Sequence, residues 1–160
     1  MWEPGVSRSS DDFNNRFNTE RCHTKNGETT YFIKYEEPTI RAFIAPEKRD
    51  RYTQLLSKPI RRQDALNTLY HAIAFDPRWA KSIKSSSGVV EMLQASGAES
   101  KGYLIGTSKD QCILPLDEAI ARVEYESGIV VCIPGRLAYY CGENGERRMM
   151  LERGIATQNP

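Results

Sequence analysis

The 160-residue, 18.2 kDa chain is 39% hydrophobic and 27% charged, which suits one domain with its own core and excludes wholesale disorder. Lys and Arg number 22 against 21 Asp and Glu, a net charge of +1, so no global field recruits nucleic acid or a membrane surface and any anion site must be local. No apolar run reaches the roughly 18 residues of a membrane-spanning helix, and the N-terminus lacks the order of a signal peptide; a cytoplasmic location without membrane association is expected.

Residues 1–19 are polar and follow neither a helical nor a strand period, which predicts a flexible N-terminal arm; its Trp2, Phe13 and Phe17 could dock a partner. A single α+β domain is expected over residues 20–153, with a tail at 154–160. Asn26-Gly27 between two strand-like runs predicts a hairpin over residues 21–35, because both central residues of the favoured turn need positive φ. Residues 39–45 alternate and read as a third strand.

Pro46 suits the first position of a helix ending near Ser57, and a second amphipathic helix is predicted over residues 61–75. Residues 47–62 hold six basic and two acidic side chains. Such a run is a solvated helix face or an electrostatic footprint, and Lys48, Arg49, Arg51, Arg61 and Arg62 are the candidate partner contacts. Residues 77–86 read as a basic connector with Trp79 against the helix pair. A short helix capped by Ser86 or Ser87 follows, stopped by Gly97.

The last third carries the strongest pattern. A short apolar strand at residues 103–105 exits through Gly106-Thr107-Ser108-Lys109, residues 110–114 connect, and a helix runs from Pro115 to Glu126. A continuous apolar strand at residues 129–133 then exits through Pro134-Gly135-Arg136. Strand, helix and strand of this size predict a right-handed βαβ unit with parallel strands. Residues 137–141 and 146–152 return as a hairpin around Asn144-Gly145. The expected fold is α+β, a mixed sheet with the βαβ unit and hairpin in the C-terminal third, an N-terminal hairpin, and helices packed on the sheet.

Parallel strands would send both exits from one edge, where open α/β sheets take ligands. Lys109, Arg136 and Arg153 would then gather around Thr107, Ser108 and Gly135. That set suits a carboxylate or phosphate, since Arg forks onto such groups and Lys serves as a point charge. Gly-Thr-Ser-Lys nevertheless lacks the spacing of a phosphate-gripping loop. Tyr139 and Tyr140 should point to opposite faces, one in the core and one, Tyr140 in the candidate set, toward a partner.

Cys22, Cys112, Cys132 and Cys141 are widely spaced, and His23 and His71 stand far apart. This argues for reduced thiols, with neither a disulfide framework nor a structural metal; no cofactor is expected. The resulting expectation is a non-enzymatic binder of a macromolecular partner or small anionic ligand, nucleic acid being a less favoured partner. One rival is a metal-dependent nuclease or nucleotide-processing enzyme using Glu143, Glu146 or Glu152, with the basic helices holding substrate. Another is an inhibitor or scaffold of a macromolecule. The segments Asp76-Pro77-Arg78, residues 132–140 and Leu151-Glu152-Arg153 are similar to those of a group of short bacterial proteins of unassigned function, over about residues 39–153; the resemblance implies membership and no activity.

Overall fold

A computed structural model describes residues 30–69, 74–143 and 147–154. Its strands are β1 (Ala80–Ile83), β2 (Lys101–Ile105), β3 (Ile113–Pro115), β4 (Gly128–Ile133), β5 (Leu137–Cys141) and β6 (Arg148–Glu152). They form one sheet in the order β1-β6-β5-β4-β2-β3, antiparallel at every pairing. The helices are α1 (Glu37–Phe43), α2 (Arg49–Leu56), α3 (Pro59–Leu69), α4 (Val89–Ala95) and α5 (Leu116–Glu126). The fold is therefore α+β.

Alternation along the strands builds two cores, one on each face of the sheet. Tyr103, Ile105, Ile129, Val131, Ala138, Tyr140 and Leu151 meet α1, α2 and α3 through Phe43, Tyr52, Leu56 and Leu66. Leu104, Val130, Leu137, Tyr139 and Met150 meet α4 and α5 through Val89, Leu93, Ala119 and Val123. Covered on both faces, β4 can be apolar at successive positions although its neighbours are antiparallel.

That point corrects the predicted parallel pair. Tyr103 lies opposite Val131 and Ile105 opposite Ile129, so β2 and β4 run in opposite directions. The segment read as a connector contains β3, which turns back along β2 and pairs Tyr103 with Ile113. Both β3 and β4 are thus antiparallel to β2 and parallel to one another. The crossover helix α5 joins them with β2 lying between, and the βαβ unit exists one strand away from where it was expected.

The N-terminal strands are corrected too. Residues 31–35 are helical, entering a π turn over Phe32–Glu36 that leads into α1, and residues 39–45 are mostly α1 itself. Glu36, Ile40 and Phe43 are buried at spacings of four and three, a helical stripe that competes with the alternating reading, and Pro38 sits in the first turn, where its missing N–H costs nothing. The Asn26-Gly27 turn, the arm, the histidines, Cys22 and Glu146 lie outside the described residues. Residues 77–86 contain β1, and α4 begins after Gly88, whose φ of 76° needs glycine, without a serine side-chain cap.

Candidate functional site

With β2 and β4 opposed, the expected anion pocket divides. Thr107, Ser108 and Lys109 follow β2 at one end of the sheet; Gly135, Arg136 and Arg153 lie at the other, where the Arg153 amide donates to the Arg136 carbonyl at 2.9 Å. In the first half, Ser108 donates through its amide (3.1 Å) and hydroxyl (3.0 Å) to Glu126, while the Lys109 amide donates to Thr107 Oγ1 at 3.0 Å. A carboxylate of the protein thus occupies the Ser108 donors, and a hydroxyl oxygen the Lys109 amide. In the second half, Arg153 lies 4.4 Å from the Trp79 ring and Arg78 lies 5.5 Å from it. Hydrogen bonds from Arg78 hold the Asp76 carboxyl down to about 2.

The candidate partner face loses two members. Arg62 and Tyr140 are buried, and Tyr140 donates its hydroxyl to the Leu69 carbonyl at 2.7 Å while packing edge-on against Phe75. Tyr139 is buried on the opposite face, so both tyrosines serve the core. Arg51 and Arg61 are exposed, Lys48 and Arg49 half-buried; Arg61 lies 3.6 Å from Asp64, and Arg49 donates to the Ile44 carbonyl at 2.9 Å. Glu143 and Glu152 flank β5 and β6 at opposite ends, because Cys141 pairs with Arg148 and Leu137 with Glu152. These two acids therefore do not converge.

A cleft of about 490 Å³ opens where β2 and β4 part. Their register stops at Tyr103 and Val131 although both strands continue, and the register between β4 and β5 shifts between Val131 and Ile133. An irregularity of this kind bends a strand away from its neighbour. Tyr103, Ile113, Val131, Ile133 and Pro134 give the cleft an apolar lining. Lys34 and Tyr35 enter from the π turn, and Glu99 and Lys101 from the start of β2 and its approach. Tyr35 stacks on Tyr103 with ring centroids 4.4 Å apart and planes at 7°. Cys132 also lines the cleft, and burial pushes its thiol up to about 12.

Beneath the cleft lies a buried charged cluster. Glu36 is fully buried and accepts from Arg62 Nη1 (2.6 Å) and Nη2 (2.8 Å), from the Tyr103 hydroxyl (2.5 Å), and from Gln111 at a longer 3.4 Å. Arg62 also donates to Asp110 from Nε (2.6 Å) and Nη2 (2.9 Å) and to the Leu56 carbonyl from Nη1 (3.1 Å). Burial works against the Arg62 charge, but Asp110 and Glu36 outweigh it and hold the proton above the ordinary range. Burial, then Glu36, raises the Tyr103 phenol, so it remains a donor.

None of Lys34, Tyr35, Glu36, Glu99, Lys101 or Asp110 stands out as a site residue in the sequence. Reading residues 31–35 as a strand hides the four-residue spacing of Tyr31 and Tyr35, whose rings stack 5.8 Å apart. That spacing was the available signal. No protein-family model matches the chain, and searches of curated proteins and of solved structures found no match.

Proposed function

We propose that this protein binds a small amphipathic anion, a carboxylate or phosphate on an apolar body, in the cleft between β2 and β4, without transforming it. The parting of these strands carries the reading: it leaves an apolar space of about 490 Å³ inside an otherwise covered sheet, a volume typical of ligand sites. Exposed Lys34 and Lys101, opposed among the described lining residues by Glu99, supply the preference for an anion. Binding without chemistry accords with Cys132, a nucleophile only as thiolate, being kept protonated by burial.

The test is displacement of 1-anilinonaphthalene-8-sulfonate from the folded protein by octanoate and by octanol. Octanoate should compete about fivefold better, the value of roughly 1 kcal/mol for an exposed charge pairing. Lys34→Gln with Lys101→Gln should erase that preference in a protein that still unfolds cooperatively. Absence of probe binding, or equal competition by acid and alcohol, defeats the reading.

A further inference from the structure

The turn that brings Lys34 and Tyr35 to the cleft is an irregular one. The Glu37 amide reaches back to the Phe32 carbonyl, giving the widened turn of a π-helix over Phe32–Glu36, a geometry that is rare and often found at functional sites. It sends two consecutive side chains, Lys34 and Tyr35, into the cleft lining while the next, Glu36, is fully buried. The buried carboxylate therefore fixes how the two cleft residues are presented.

Four donor atoms on three side chains meet Glu36: two nitrogens of Arg62, the Tyr103 hydroxyl and the Gln111 amide. Of those side chains, Tyr103 is the one that also lines the cleft. Its ring lies under Tyr35 at 4.4 Å, and its hydroxyl grips the residue that follows Tyr35. Tyr103 itself is held in β2 by pairing with Ile113 on one side and Val131 on the other. The sheet and the turn are thus joined through one phenol at the wall of the cleft.

Resting on the ligand reading above, we propose that Tyr103 is a positioning residue for this site, setting anion affinity through its hydroxyl's hold on Glu36 and hence through the placement of Lys34 and Tyr35. The hydroxyl itself is occupied by Glu36 and need not touch the ligand. The ring contributes lining area, which Tyr103→Phe preserves. The two roles of the side chain are therefore separable.

The experiment compares the full chain with Y103F, K34Q and the double variant, reading affinity for 1-anilinonaphthalene-8-sulfonate and hydrogen exchange of the amides at residues 32–37. Y103F should weaken probe binding about fivefold, an effect of roughly 1 kcal/mol, and should speed exchange within that turn more than in β2. In the double variant the loss should approach that of the larger single change, because both act through Lys34. Gln111→Ala, a gentler disturbance of the same carboxylate, should shift both readouts in the same direction and carries the test should Y103F fail to fold. Unchanged affinity in the folded variant, or fully multiplicative losses, overturns the positioning role. A wild-type chain that ignores the probe defeats the ligand reading instead, and exchange then decides alone: acceleration confined to residues 32–37 supports the hold on the turn, and uniform or absent acceleration sinks it.

Discussion

The guanidinium of Arg62 lies between the carboxylates of Glu36 and Asp110 and, with the Leu56 carbonyl, has an acceptor for each of its five N–H bonds. Glu36 is on the π turn, Arg62 on α3 and Asp110 on the loop after β2, so one side chain ties three separate pieces of chain. Removing it strands a fully buried carboxylate, which typically costs about 3–5 kcal/mol. Arg62→Ala should therefore lower the unfolding free energy in urea by that amount. Arg62→Lys should recover only part, since an ammonium cannot fork onto two carboxylates. A loss below about 1 kcal/mol for Arg62→Ala would mean the cluster is not the tie described.

Two glycines make different demands. At Gly102 an added Cβ would lie 2.5 Å from Val130 Cγ1, a side-chain methyl; at Gly128 it would lie 2.5 Å from the Ile105 carbonyl oxygen, and the backbone there holds φ at +142°. A methyl can be removed, whereas a carbonyl in a strand cannot. Gly102→Ala should cost about 1–3 kcal/mol through overpacking and be largely relieved by Val130→Ala, less the cavity that change leaves. Gly128→Ala should cost more, from strain added to the clash, with no such relief from a side-chain change. Thermal melts of the four proteins compare the two sites.

Residues whose burial follows a simple period were the ones legible from sequence. Leu116, Ala119, Ile120 and Val123 mark α5, and the apolar run at residues 129–133 marks β4. The turn at residues 134–136 and the Gly142 amide donating to the Arg147 carbonyl at 2.7 Å lie where the sequence's turn signals before β5 and β6 pointed. Direction was not legible, because an apolar run covered on both faces looks the same in parallel and antiparallel sheets, and because Ile113–Pro115 is too short to announce β3. Helix α1 was hidden because Ile40, Ala42 and Ile44 share one parity and read as a strand face, whereas the residues buried within the helix, 39, 40, 42 and 43, follow helical spacing. Of the candidate site little was legible: the expected grouping of Lys109 with Arg136 and Arg153 is divided by the antiparallel strands, and the cleft depends on where two strands separate, which is a tertiary event with no local signature beyond the proline and glycine after Ile133.

Two thiols, Cys141 buried and Cys132 half-buried, give the protein an alkaline limit. Burial pushes Cys132 and Cys141 up to about 12 from an ordinary value of 9, with Glu124 adding to the effect at Cys141. The folded chain then keeps protons that the unfolded chain releases, so this contribution to stability is full below about pH 9 and declines as pH rises from there toward 12. The melting temperature should fall between pH 9 and 11, and the fall should be shallower in Cys132→Ala and Cys141→Ala. The fully buried Cys141 should also resist iodoacetamide at pH 8 in the native state and react after unfolding, as read by peptide mass. Rapid native alkylation of Cys141 would contradict its burial.

Glu124 performs on the α5 face a smaller version of what Glu36 does opposite. It accepts from the Tyr139 hydroxyl at 2.5 Å and from Arg148 Nε at 2.9 and 3.1 Å, linking α5 to the centre of β5 and the start of β6. Its carboxylate is 17% exposed and Arg148 23% exposed, so solvent weakens the ion pair while the buried phenol stays dependent on its acceptor. Glu124→Ala should cost about 2–3 kcal/mol, most of it from leaving the Tyr139 hydroxyl unsatisfied. Tyr139→Phe should cost about 1 kcal/mol, and the double variant clearly less than the two together, because the phenylalanine no longer needs the carboxylate. Denaturant melts of the cycle read the coupling, and strict additivity would show that the phenol and Glu124 do not depend on each other.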